Sequence, residues 1–233
     1  MKLFSIGVPF LLLLAASTLD TSHDYLDTYA SRLKAYSVPS GSMKPTLMIA
    51  DRFYAYGAVA DPLAGLMGHF YPEQKRHLRI ERGDVVVFKL PSDNSVDYVK
   101  RVVGLPGDTI QMLDGVLNIN GEPTDRRRVD DYVEQGRSTG IRRIPRYRET
   151  LPNGVSYETL ELTPSGQLDN TREYQVPEGH YFVLGDNRDN SIDSRVLSRI
   201  GFVPVANITG IATGIFYSGE TGRLTWRTLK PEV

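Results

Sequence analysis

Two serines around a glycine, bracketed by prolines, stand in Tyr36-Ser37-Val38-Pro39-Ser40-Gly41-Ser42-Met43-Lys44-Pro45-Thr46-Leu47, a segment built to present a hydroxyl rigidly. Pro39 and Pro45 restrict the backbone on either side and interrupt any regular helix, while Gly41 permits close approach of another group. A serine hydroxyl attacks a carbonyl only with a base beside it, and Asp97-Tyr98-Val99-Lys100-Arg101-Val102-Val103-Gly104-Leu105-Pro106-Gly107-Asp108 offers one. Its first half reads as a strand ended by Gly104 and Pro106. Alternation puts Tyr98, Lys100 and Val102 on one face and Val99, Arg101 and Val103 on the other. Lysine is the cation whose pKa moves readily on burial. A free lysine is neutral only about once in 2,500 molecules at pH 7, a deficit of roughly 4.6 kcal/mol, and lowering its pKa to about 8 recovers roughly 3.3 kcal/mol. Such a lysine belongs on an apolar face, which Tyr98 and Val102 supply. Each segment alone also has an ordinary explanation, a surface turn or a lysine snorkelling at a strand edge.

Two further blocks remove that ambiguity. Gly185-Asp186-Asn187-Arg188-Asp189-Asn190-Ser191-Ile192-Asp193-Ser194-Arg195 and Arg82-Gly83-Asp84-Val85-Val86-Val87-Phe88 complete a set of four, ordered along the chain from about residue 36 to residue 212. The set resembles the bacterial type I signal peptidases, or leader peptidases, in which the third block reads Gly-Asp-Asn-x-x-x-Ser-x-Asp-Ser-Arg. The resemblance implies a membrane-bound serine endopeptidase with Ser42 as nucleophile and neutral Lys100 as general base. It further implies an oxyanion hole from the Ser42 N–H and the Ser40 hydroxyl, Ser191 orienting Lys100, and a buried Asp193–Arg195 ion pair supporting that loop. Exported preproteins would be the substrates, cleaved after Ala-x-Ala, with Tyr36, Val38, Pro39 and Val99 forming the shallow substrate pockets. The chain departs from the family after Arg195, where many members have Tyr-Trp-Gly and this one has Val196-Leu197-Ser198-Arg199-Ile200-Gly201. A dedicated processing peptidase of a conjugation or secretion system is the alternative within the family. A non-catalytic membrane-anchored β module, the alternative outside it, predicts a lost nucleophile or base, and both are present.

The absence of cysteine excludes a thiol nucleophile and any disulfide framework. His23, His69, His77 and His180 are scattered without ligand-like spacing, and Asp186–Asn190 does not continue as a calcium loop, because Arg188, Ser191 and Leu197 stand where ligand, glycine and glutamate are needed. No cofactor and no metal is therefore expected. A formal net charge of −1 argues against a nucleic-acid partner.

Leu3 to Leu19 is an uncharged run preceded by Lys2 and followed by Asp20, Asp24 and Asp27. Its length is at the lower limit for a spanning helix, and its flanks suit an N-inside, C-outside orientation. A cleavable export signal with Ala15 and Ser17 before the cleavage point is the competing reading. Both send the remainder out of the cytoplasm, and the resemblance implies a single-pass anchor in the bacterial inner membrane, with the catalytic domain on the periplasmic side and lipid as a partner.

The expected fold is mostly β: an antiparallel signal-peptidase-like catalytic core, an inserted smaller β subdomain and one N-terminal hydrophobic helix. The divisions read as 1–19 anchor, 20–35 juxtamembrane linker with helical spacing, 36–121 first part of the core, 122–177 insertion and 178–233 second part. Asp114-Gly115 and Asn120-Gly121 are hairpin turn signals. Eight arginines between Arg126 and Arg148, interleaved with Asp125, Asp130, Asp131 and Glu134, read as a solvated charged face.

Overall fold

The computed structural model describes residues 32–57, 79–136 and 140–229, together with a short strand over residues 4–6. The expected anchor over 1–19, apart from that strand, and the linker up to residue 31 lie outside the described residues. Among the described residues no helix is long and apolar enough to cross a membrane. What is described of the apolar run is β1 (Phe4–Ile6), which pairs antiparallel with β2 (Leu33–Ser37), Ser5 opposite Tyr36. The helical expectation is corrected at these residues, and the physical reason is the edge of β2, whose unpaired backbone groups accept a further strand.

The principal sheet follows from apolar runs rich in β-branched residues. Beyond β2 it contains β3 (Arg52–Tyr56), β4 (Val85–Leu90) and β5 (Asp93–Gly104). A second sheet takes β6 (Thr109–Leu113), β7 (Val116–Ile119) and β8 (Glu122–Pro123). The insertion supplies β9 (Asp125–Arg128), the hairpin β10 (Tyr132–Gly136) and β11 (Gly140–Ile144), then β12 (Arg146–Thr150), β13 (Ser156–Leu160) and β14 (Tyr174–Gln175). The chain returns through β15 (His180–Leu184), β16 (Val203–Pro204), β17 (Ile208–Ser218) and β18 (Arg223–Thr228). The order across the large sheet is β1-β2-β3-β17-β4-β5-β15-β16, with β18 also on β17. Bulges between Ala212 and Gly214 and between Ile215 and Tyr217 bend β17, which pairs with β4, β3 and β18 along its length. β18 has no counterpart in the sequence reading; its residues are exposed throughout and carry no buried face to announce them.

The hairpin turns fall where expected, Asp114, Gly115, Asn120 and Gly121 all having positive φ. The sheet they serve does not. β6 and β7 pair with β8 and with β14 from the far end of the insertion, so residues 109–121 group with inserted strands rather than with the large sheet. Nor is the insertion peripheral. Leu160 N–H donates to the Asp186 carbonyl (2.9 Å), Leu160 bridges Asn187, and the Glu149 carboxylate meets the Arg188 guanidinium at 2.6 Å with both side chains buried. The arginine-rich face is solvated at Arg127, Arg142 and Arg148, but Arg126 is largely shielded against Glu161 and the Tyr147 ring.

Three apolar clusters fill the interior: one with Tyr36, Val38, Phe53, Val87 and Val99, one with Ile110, Leu117, Leu151 and Phe182, and one with Phe88, Val102, Val183 and Ile200. Ile200 answers the departure from the family pattern after Arg195, since it enters the third cluster from a turn in which Arg199 and Ile200 N–H donate to Val196 O.

Because Glu149 and Arg188 are both fully buried, Glu149→Ala leaves a guanidinium without its counter-ion. A loss of about 3–5 kcal/mol in urea unfolding is expected, with much of it recovered in Glu149→Ala/Arg188→Met. Equal destabilisation in the single and double variants would contradict this.

Candidate active site

The serine loop follows β2 and is closed on itself before it meets anything else. Val38 N–H donates to Asp51 O (2.9 Å), Ala50 N–H to Val38 O (2.7 Å) and Leu47 N–H to Met43 O (2.9 Å). The Asp51 carboxylate ties its far end, accepting from Met48 N–H and Gly219 N–H, each at 2.8 Å. Gly41, Ser42 and Met43 are buried, while Pro39 is exposed.

Lys100 arrives from the middle of β5. β15 pairs only with Arg101, Val102 and Gly104 of that strand, so the outer edge over Asp97–Lys100 has no strand partner among the described residues. Lys100 is 1% exposed, and its Nζ lies 2.8 Å from Ser42 Oγ and 2.8 Å from Val99 O. The Tyr98 ring centroid is 5.7 Å away. A neutral amine satisfies this geometry: one N–H donates to the carbonyl and the lone pair faces the serine O–H. Burial pulls the Lys100 pKa down to about 8, against an upward pull from Asp193 and Asp186.

The block after β15 holds both partners. Asn187 N–H donates to Ser42 O (3.1 Å) and Asn187 Nδ2 to Gly41 O (3.0 Å), pinning the two peptides that flank Ser42. Arg101 grips Asp186 with two bonds of 2.9 and 2.7 Å, donates to Gly83 O (2.7 Å) and lies 4.1 Å from the Tyr157 ring centroid. Thr46 Oγ1 donates to the same carboxylate. Arg195 grips Asp193 with two bonds of 2.8 Å and reaches Arg188 O (2.6 Å), and Asp193 also accepts from Gly185 N–H (3.1 Å). Burial would raise the Asp193 and Glu149 carboxyls, but Arg195 and Arg188 outweigh it and hold both below the usual carboxylate range.

Gly185 is glycine for lack of room: a Cβ there would stand 2.2 Å from Ser191 Oγ and 2.6 Å from Ser42 O. Ser191 is therefore at the site. It makes no hydrogen bond to Lys100, whose amine bonds Ser42 Oγ and Val99 O, and its hydroxyl instead helps to hold the neighbouring Asp193 carboxyl low. Tyr36, Val38 and Val99 come together in one buried cluster, and Pro39, the fourth residue expected there, is turned to solvent instead. Ser40 is half-buried one peptide before Gly41. Sequence reasoning assigned no role to Asp51, Asp186, Asn187 or Arg101. The first would have been invisible, but Asp186 and Asn187 lie in a quoted block and Arg101 was already placed opposite Lys100.

A β framework that buries a lysine amine against a serine hydroxyl brings together the two groups that a serine hydrolase without a catalytic histidine requires. A family model described as "Signal peptidase, peptidase S26" matches residues 25–217. Signal peptidase I of Rickettsia typhi is 39% identical over 210 residues, covering 83% of this chain and 74% of that protein, and the Rickettsia prowazekii enzyme is 40% identical over 205 residues with the same coverage. The chain belongs to the signal peptidase I family and is a serine endopeptidase. A solved signal peptidase I from Enterococcus faecalis V583 is 31% identical, covers 57% of this chain and 96% of its own, and gives a TM-score of 0.33.

The lowered lysine pKa makes two pH effects. If the amine is the base, kcat/KM should rise as it loses its proton and level above about pH 8. In stability, the unfolded chain binds the extra proton between about 8 and 10.5, so stability rises with pH across that window by about 3 kcal/mol. Lys100→Met should abolish that rise in denaturation curves; a Met variant with the unchanged slope would assign it elsewhere.

Proposed function

We propose that this enzyme removes N-terminal signal peptides from exported preproteins after small residues, with Ser42 as nucleophile and Lys100 as general base. The observation that carries the reading is the 2.8 Å approach of a fully buried lysine amine to the serine hydroxyl. Ser42 Oγ attacks the scissile carbonyl as its proton passes to Nζ. The tetrahedral oxyanion is met by the Ser42 N–H and the Ser40 hydroxyl, and the proton is returned to the leaving amine. Water, deprotonated by the same amine, then cleaves the acyl-enzyme. Asn187 fixes the nucleophile's backbone, and the Arg101–Asp186 and Arg195–Asp193 pairs hold the two loops in register.

Substrate choice follows from the same surfaces. An extended peptide adding as a strand beside the open edge of Asp97–Lys100 points alternate side chains inward. The packing of Tyr36, Val38 and Val99 in one buried cluster supports shallow pockets that admit only small side chains at the cleavage point and two residues before it. The relatives named as signal peptidase I support the substrate class. Kinship with the enzymes named signal peptidase I supports retention at the inner membrane, with the catalytic domain on its periplasmic side.

Ser42→Ala should abolish preprotein cleavage with the fold intact, and Lys100→Arg should be equally inactive because guanidinium keeps its proton. Turnover at a tenth of the wild-type rate in either variant would sink the assignment. On a peptide series, phenylalanine in place of either alanine of Ala-x-Ala should lower kcat/KM more than a hundredfold, on the order of 3 kcal/mol, while the middle position tolerates bulk. Equal sensitivity at all three positions would contradict strand addition.

A further inference from the structure

The β10–β11 hairpin pairs with no other strand among the described residues, yet it reaches the loop that carries Ser42. The Lys44 ammonium is ion-paired with the Glu134 carboxylate, the lysine mostly buried and the glutamate about one-third exposed. Beside this pair, Tyr132 OH lies 3.6 Å from Met48 Sδ. The Lys44 stem crosses Gly41, where a Cβ would stand 3.3 Å from Lys44 Cε and 3.4 Å from Cδ. Lys44 N–H donates to Gly41 O at 3.2 Å, and the same carbonyl accepts from Asn187 Nδ2 at 3.0 Å. The peptide joining Gly41 to Ser42 is thus held by Asn187 through its oxygen and covered by the Lys44 stem.

We propose that Glu134 is a positioning residue for the reaction: by holding Lys44 across Gly41 it aims the Ser42 N–H at the developing oxyanion. This rests on the reading of Ser42 as nucleophile with its own N–H as an oxyanion donor. Lysine has a flexible four-carbon stem, and without its counter-ion the head returns to water and the stem lifts from the glycine. A partly exposed ion pair adds little to global stability, so its removal leaves the fold standing. An oxyanion donor displaced by a fraction of an ångström acts on the transition state rather than on substrate binding. The effect therefore falls on kcat and spares KM.

The test uses the full chain, an Ala-x-Ala peptide substrate and the variants Glu134→Gln, Lys44→Met and the double variant. Glu134→Gln should lower kcat about fivefold with KM within about twofold and thermal stability nearly unchanged. Lys44→Met should lower kcat similarly, and adding Glu134→Gln to it should cost nothing more, because one ion pair is lost either way. Raising salt from about 0.1 to 1 M should lower kcat in the wild type and not in Glu134→Gln. An unchanged kcat in Glu134→Gln, strictly additive losses, or a kcat loss matched by a fall in thermal stability overturns the proposal. Ser42→Ala run alongside separates the two levels: an active Ser42→Ala removes the nucleophile assignment and this inference with it, whereas an inactive Ser42→Ala beside an unaffected Glu134→Gln removes the inference alone.

Discussion

The constraint on which everything else depends is that an amine able to lose its proton near neutrality must be held dry against a hydroxyl on a different segment. Lys100 sits on a regular strand and Ser42 on an irregular loop 58 residues away in sequence. Neither segment binds the other by backbone pairing. A third segment, Gly185–Arg195, does so instead, with Asn187 on the serine loop and Asp186 on Arg101 beside the lysine. Three buried ion pairs, Arg101–Asp186, Arg188–Glu149 and Arg195–Asp193, fix that segment. Buried pairs of this kind contribute little net stability over apolar packing, so their use here is geometric.

The same pairs protect the lysine's chemistry. Asp186 and Asp193 each pull the Lys100 pKa upward, against the burial that lowers it. Left uncompensated, two nearby carboxylates would favour the ammonium form. Arg101 and Arg195 neutralise them at bidentate contact, and Arg195 itself lowers the lysine pKa. A carboxylate can then organise the loop without restoring the proton on the Lys100 amine.

The insertion is tied into this arrangement on two sides. Glu149 and Tyr157 lie beneath Arg188 and Arg101, while β10 reaches over the far side of the serine loop. β14, from the end of the insertion, closes a sheet begun by β6 and β7 ahead of it. The serine loop is therefore braced by a residue 90 positions after it and the Gly185–Arg195 segment by one 39 positions before it, and separating the insertion as an independent unit would expose Arg188 and Arg101.

Strand content and the two positive-φ hairpin turns were legible in the sequence, because period-two alternation and turn chemistry are local properties, whereas the pairing of Ser42 with Lys100 was legible by resemblance. The Asp193–Arg195 partnership was legible only by resemblance. What the tertiary structure alone decided is which distant groups meet. Pro39 turns to solvent although it neighbours the buried Val38, Ser191 lies against Gly185 without bonding Lys100, and Arg126 is partly buried beside the exposed Arg127 and Arg128. The apolar start of the chain satisfied both a helix and an edge strand in composition, and the unpaired edge of β2, formed only on folding, selects the strand for Phe4–Ile6. Burial and edge pairing depend on the packing of segments far apart in sequence, so local pattern names the chemistry while the fold sets its geometry.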